Sequence, residues 1–185
     1  MKGTRSYTKE DIKVFGADLD EEAAKDPSAK QTISDIVNHK NKVNKRLTFL
    51  ADQLLGRAKK HDNSKLEKPE LGWLVAMDKE PKYPYGSDEY FEKMKRWRQF
   101  FDHHYQVNSH HPNHFVNGVS GMTLTDLCEY LVDIIAYEDN LSVDEALAVI
   151  EDQKQRFGLD EQLTQILKNT LLTYFTWLDG QKPLA

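Results

Sequence analysis

Residues 90–114 read YFEKMKRWRQFFDHHYQVNSHHPNH, and the way this stretch folds decides how the rest of the chain is arranged. Taken as one helix, it places Tyr90, Met94, Trp97, Phe101, His104, Asn108 and His111 at alternating steps of four and three, so all seven share a stripe. Apolar and aromatic residues fill its first turns, and histidine continues the same line. Such a helix carries imidazoles into the interior, where each must be hydrogen-bonded or bound to a metal. Five of the seven histidines, His103, His104, His110, His111 and His114, fall in this segment.

Working outward, a chain of 185 residues suits one compact domain with a sizeable core. The expected layout is a surface arm over residues 1–30 and a single helical domain over 31–185. No apolar run approaches bilayer length and the start lacks a basic, apolar signal pattern, so a cytoplasmic protein with no membrane partner is expected. The lone Cys128 rules out an internal disulfide and a cysteine-built zinc site, leaving His, Asp and Glu to hold any metal. A net charge of −5 argues against a nucleic-acid platform. Gly-rich phosphate loops, G-x-S-x-G and Walker patterns do not occur.

Upstream of the histidine stretch, the arm is expected to hold a short helix from Thr8 to Phe15 and to close at Pro27. Ile36, His39, Val43, Leu47, Leu50 and Leu54 then recur by threes and fours. They predict a helix from Ser28 to Leu55 that buries this stripe, His39 included, and ends at Gly56. Residues 57–66, RAKKHDNSKL, predict a helix end bearing adjacent His61 and Asp62. Neighbours on a helix diverge by about 100°, so both can reach one ion only at a helix end or where another helix packs across that edge. Pro69, Gly72, Pro81, Pro84 and Gly86 mark a connection up to Ser87, with Trp73, Tyr83 and Tyr85 available to cover a cleft.

Downstream, Pro112 and residues 117–121 (NGVSG) break the chain, and Thr123 is placed to cap a helix through Asn140. Its expected core face is Leu124, Leu127, Leu131, Ile134 and Ile135. Asp126, Glu129, Asp133 and Tyr137 gather on a neighbouring stripe, with Asp133 placed inward beside Ile134. The capping-box pair Ser142 and Glu145 opens a further helix that closes near Gly158. A last helix, about residues 160–178, is expected to bury Leu163, Ile166, Leu167, Leu171, Tyr174 and Leu178. The fold class is therefore all-α.

His39, His61 with Asp62, His104 with His110 or His111, and Asp133 form a nitrogen and oxygen ligand set. It suits one or two divalent transition ions, manganese, iron, zinc, nickel or cobalt, and magnesium only where carboxylates dominate. The chain order His, His-Asp, His, His, Asp resembles the HD-domain superfamily of metal-dependent phosphohydrolases. The strings KHDNSK (60–65), HHYQVNSHHPNHF (103–115) and MTLTDLCEYLVD (122–133) look more specifically like an HD-like family common in bacteria and phages. That family's pattern is H-D-x-S-K, H-x-x-x-N-x-H-H-P and a later E-x-x-x-D, and the resemblance spans roughly residues 35–140. A glutamate common after the His-His-Pro run is replaced here by Asn113-His114.

The resemblance implies an HD-like all-α bundle with its metal site among the helices. It carries the four-residue signature onto His39, His61, Asp62 and Asp133, and the second-metal histidines onto His104 and His111, with His110 the alternative to His111. Lys65 matches the family lysine, and Glu129 and Asp133 match the final carboxylates. The implied activity is hydrolysis of a nucleotide or related small phosphoester by a metal-bound hydroxide, because a divalent ion lowers the pKa of its water toward neutrality. In that reading Asp62, Lys65 and Glu129 are the catalytic candidates. Lys65 offers an ammonium to phosphoryl oxygens, with Arg46, Lys60 and Asn108 as further substrate-binding or orienting groups. Trp73, Tyr83, Tyr85 and Trp97 are candidates for stacking on a base. Two alternatives remain open on these residues: an HD-type di-iron oxygenase, and a non-catalytic metal-containing binding module. Aromatics on a helical surface add the expectation of a homodimer.

Overall fold

The computed structural model describes residues 7–84, 86–136 and 141–181, and among them helices and turns account for all regular structure, with no strand. The all-α expectation holds. The chain forms two compact units, Met1–Gln53 and Leu54–Ala185, whose boundary falls inside a long helix.

In the first unit, α1 (Lys9–Lys13) is opened by a capping box in which Thr8 and Asp11 satisfy each other's backbone N–H groups. After a 3-10 turn at Ala23–Lys25 comes α2 (Ala29–Lys60), 32 residues long. It runs straight through Gly56, where a break was expected. One interior glycine costs only about 1 kcal/mol against alanine, which a helix of this length absorbs. The expected buried stripe is also corrected: Ile36, Val43, Leu47 and Leu50 are exposed, and the buried positions are Ser34 and Val37. Among the described residues of this unit only α1 and one 3-10 turn are available to cover the helix.

The second unit holds the end of α2, then α3 (Glu70–Asp78), α4 (Asp88–Arg96), α5 (Arg98–Val107), α6 (Leu124–Ile135), α7 (Val143–Phe157) and α8 (Glu161–Gln181). Its core is Leu131 of α6, Ala146 and Ile150 of α7, Leu159, and Leu167 and Leu171 of α8. The capping boxes Thr123/Asp126 and Ser142/Glu145 open α6 and α7, and Gly158, at φ 65°, ends α7 in the left-handed conformation that favours glycine. On α8 the row Leu163, Leu167, Leu171, Phe175 packs inward at strict steps of four. Ile166 and Tyr174 flank that row and are exposed, contrary to expectation, as is Leu124 at the start of α6.

Two corrections bear on the site. Residues 90–114 are not one helix: the chain breaks at Trp97 (φ −95°, ψ 16°) between α4 and α5, and leaves helix again at Asn108 (φ −117°, ψ 104°). The proline-rich stretch of residues 69–87, expected as a connection, contains the helix α3. Tyr85, Tyr137 and Asn140 lie outside the described residues. No described helix is long and apolar enough to cross a membrane.

Candidate metal centre

The end of α2 explains how two sequence neighbours come to face one place. Helix geometry stops at Lys60, and Asp62 adopts the left-handed conformation (φ 53°, ψ 20°) before the 3-10 turn Asn63–Leu66. A non-glycine residue holds that conformation at a cost that functional sites often carry. The turn cancels the helical divergence, leaving His61 Nε2 and Asp62 Oδ2 3.6 Å apart. The exit from α5 is equally directed. Asn108 donates from its backbone and its side-chain amide to His104 O, at 3.1 and 2.9 Å, and from the same amide to Ser64 Oγ at 2.9 Å. This closes the helix so that His110 and His111 turn back toward His104, while Asp126, Glu129 and Asp133 line one face of α6.

Two overlapping ligand groups result: Asp62, His104, His110 and His111; and His61, Asp62, His110 and Asp133, each with its ligand atoms within 4.8 Å of one another. In the first, His104 Nε2 lies 3.0 Å from His111 Nε2 and 3.3 Å from Asp62 Oδ1, which is 3.5 Å from His110 Nε2. In the second, His61 Nε2 is 3.3 Å from Asp133 Oδ1, and His110 Nε2 is 3.8 Å from Asp133 Oδ2. Donors bonded to one ion at about 2.1 Å sit about 3.0 Å apart when adjacent in an octahedron and about 3.4 Å apart in a tetrahedron. The observed separations fit that spacing. Asp62 Oδ1 and His110 Nε2, shared by the groups, are buried without a hydrogen-bond partner among the described residues, a costly condition that a cation between them would relieve.

A second layer fixes the imidazoles. Glu70, fully buried at the start of α3, accepts from His104 Nδ1 at 3.0 Å, His103 Nδ1 at 2.8 Å and Ser64 Oγ at 2.9 Å. Glu129 accepts from His61 Nδ1 at 2.8 Å and is held by Arg57 Nε at 2.6 Å. Arg57 also donates to Asp126 Oδ1 at 2.6 Å, which takes a further bond from Ser109 Oγ at 2.7 Å. With Nδ1 donating to a carboxylate, the Nε2 of His61 and of His104 presents its lone pair to the centre, the arrangement that orients metal-ligating histidines elsewhere.

The electrostatics point the same way. Around the centre, Asp62, Glu70, Asp126, Glu129 and Asp133 face two fixed cations, Arg57 and Lys65, leaving an excess of negative charge for imidazole protons or a bound cation to balance. Burial pushes the Asp62 carboxyl up, but the adjacent His104 imidazole, the bond from Lys65 and the His61 imidazole more than reverse this, so it stays ionised. Glu70 is likewise lowered, against its burial, by His104, His103 and Ser64. Burial depresses His111 to about 3, with His110 and His104 adding to the effect, and depresses His110 despite Asp133 and Glu129. Burial lowers His104, but the Asp62 and Glu70 carboxylates beside it outweigh this and raise it.

The structure thus brings together His61, Asp62, His104, His111 and Asp133, and includes His110 alongside His111, where the sequence offered them as alternatives. Lys65 reaches Asp62 Oδ2 at 2.5 Å. Glu129 and Asn108 orient histidines. His39 is exposed and joins neither ligand group. Arg46 is exposed with its guanidinium on Lys42 O, and Lys60 is exposed at the end of α2. Trp97 Nε1 donates to Glu80 and Trp73 packs edge-on to His103. Sequence reading missed Glu70, hidden behind prolines, and Arg57, which looked like one more basic residue on a solvated helix end.

These features define a helical protein with a candidate metal centre built from histidines and aspartates. The chain belongs to a family of unknown function (DUF5662), whose pattern it matches over residues 28–173, a span containing every residue of the centre. No curated protein and no solved structure matches it.

Proposed function

We propose that this chain is an HD-like metal-dependent phosphohydrolase acting on a small phosphoester, a nucleotide included. The observation that carries the reading is the pair of buried, unpartnered atoms Asp62 Oδ1 and His110 Nε2 at the shared corner of two ligand groups. His61, Asp62 and Asp133 would hold one ion and Asp62, His104 and His111 are donors for an ion on the other side, with His110 Nε2, which has a single lone pair, completing one of the two. The imidazole-rich set favours manganese, iron, zinc, nickel or cobalt over magnesium. A divalent ion held there supplies a nucleophile at neutral pH by acidifying water and neutralises charge on a phosphoryl group.

The chain's own residues do the rest. Asp62 turns Oδ1 toward His104 and His110, and Oδ2 toward His61 and Lys65, so one carboxylate can serve both sides. Lys65, about a turn beyond, offers its ammonium to phosphoryl oxygens as negative charge develops. Glu70 and Glu129 hold the histidine tautomers. The test is phosphate release from a panel of phosphomonoesters and nucleotides by protein loaded with each metal. Loss of release in Asp62→Asn at unchanged helicity is expected. A mixed-valent iron spectrum without phosphate release would replace hydrolysis by oxygen chemistry.

A further inference from the structure

A cavity of about 500 Å³ opens beside the centre, reached by Lys65, His111 and Asp133 from the cluster side. One face of α7 also lines it, where Val149, Gln153 and Arg156 recur at steps of four and three. Tyr90 and Tyr105 line it as well. None of Trp73, Tyr83 or Trp97, the aromatics expected to meet a substrate, is part of the lining.

The charges in this chamber are unevenly placed. Its one carboxylate among the lining residues, Asp133, belongs to the ligand set at the cluster side. Lys65 is engaged there by Asp62. Arg156, contributed by α7, forms no ion pair among the described residues; its guanidinium lies 4.9 Å from the Phe157 ring centroid, a stacking contact that leaves its N–H donors available. Gln153 beside it accepts from the buried Tyr130 hydroxyl at 2.9 Å, which holds the amide in place. A chamber of this size suits a small organic molecule. This guanidinium lines the same chamber as the ligand residues His111 and Asp133, where a phosphoryl group would be bound, and its fork geometry suits a carboxylate or phosphate.

We infer that the chamber selects a phosphoester carrying a second anionic group, a carboxylate or a further phosphate, and that Arg156 binds this distal group. The inference rests on the phosphohydrolase reading for the identity of the first group. It makes Arg156 a specificity-determining residue with no part in the chemistry at phosphorus.

The test uses the metal-loaded protein and two non-hydrolysable probe series, linear α,ω-alkanediphosphonates of two to six carbons and alkylmonophosphonates of matched length, with affinities measured by calorimetry. At least one diphosphonate is expected to bind ten-fold or more tightly than its monophosphonate partner. Arg156→Gln should erase that advantage while leaving monophosphonate affinity within two-fold of wild type, and Arg156→Lys should restore part of it. Arg156 is exposed, so these variants are expected to keep their fold. A wild-type protein that binds both series equally, or an advantage that survives in Arg156→Gln, overturns the distal-anion assignment and leaves the phosphohydrolase reading standing. Failure to bind either series removes both.

Discussion

Glu70→Gln probes the second layer directly. Glu70 is fully buried and its two oxygens take three donors, His103 Nδ1 at 2.8 Å, His104 Nδ1 at 3.0 Å and Ser64 Oγ at 2.9 Å. Glutamine keeps the shape but replaces one oxygen with an NH2 group, which then opposes an imidazole N–H at bonding distance. With the NH2 in the Oε2 place His104 can escape only by tilting or by moving its proton to Nε2, the atom directed at Asp62 Oδ1 and His111 Nε2; with the NH2 in the Oε1 place the conflict falls on His103, and His104 keeps a neutral amide oxygen in place of an ionised one, a weaker hold on its tautomer. A protonated Nε2 cannot ligate. Loss of such a second-layer partner lowers metal affinity about 10- to 100-fold, equivalent to about 1.4–2.7 kcal/mol. Competition of the variant against a chromophoric chelator for Zn2+ or Mn2+, with circular dichroism confirming wild-type helicity, measures this. A metal affinity within two-fold of wild type in a folded Glu70→Gln protein would refute the reasoning.

Other substitutions separate structural from ligating roles. Asp126 is buried, pairs with Arg57 and closes the α6 capping box, so Asp126→Asn should cost about 1.5–3 kcal/mol of stability in the metal-free protein near pH 7. Burial raises the Asp126 carboxyl, but Thr123, Ser109 and the Arg57 charge lower it further. Its contribution is therefore present above the unfolded carboxyl's ordinary pKa and is lost as pH falls through the lower folded value. Wild type and Asp126→Asn should converge on acidification in urea titrations; a constant gap would contradict the assignment. His39→Ala should leave the number of bound metal ions unchanged by elemental analysis, because His39 is exposed and outside both ligand groups, and a lost ion would restore it to the centre.

How much of this was legible in the sequence follows from which signals are local. The helix caps at Thr123 and Ser142 and the glycine stop at Gly158 are short-range features, and each lies where the residues predict it. The all-α class came from periodicity over many turns. Periodicity failed where it was read as burial. The α2 stripe at Ile36, Val43 and Leu47 has helical spacing, but spacing says nothing of whether a partner covers it. It failed again across Trp97 and Asn108, since a regular pattern does not reveal a break whose hydrogen bonds are met locally, as Asn108 meets those of His104 O. The site was legible where chemistry is concentrated, in His61-Asp62 and the histidine run. Its supporting carboxylate Glu70 was not, because a lone glutamate between Pro69 and Gly72 carries no pattern, and only folding shows three donors converging on it.

The account turns on whether the histidine and aspartate cluster holds a cation. Elemental analysis of untagged protein, purified without chelator, measures this for wild type and Asp62→Ala side by side. One or two transition-metal ions per wild-type chain, and a loss of bound metal in a variant of equal helicity, are predicted. Wild-type protein that carries no metal and takes none up from a buffered solution would contradict it.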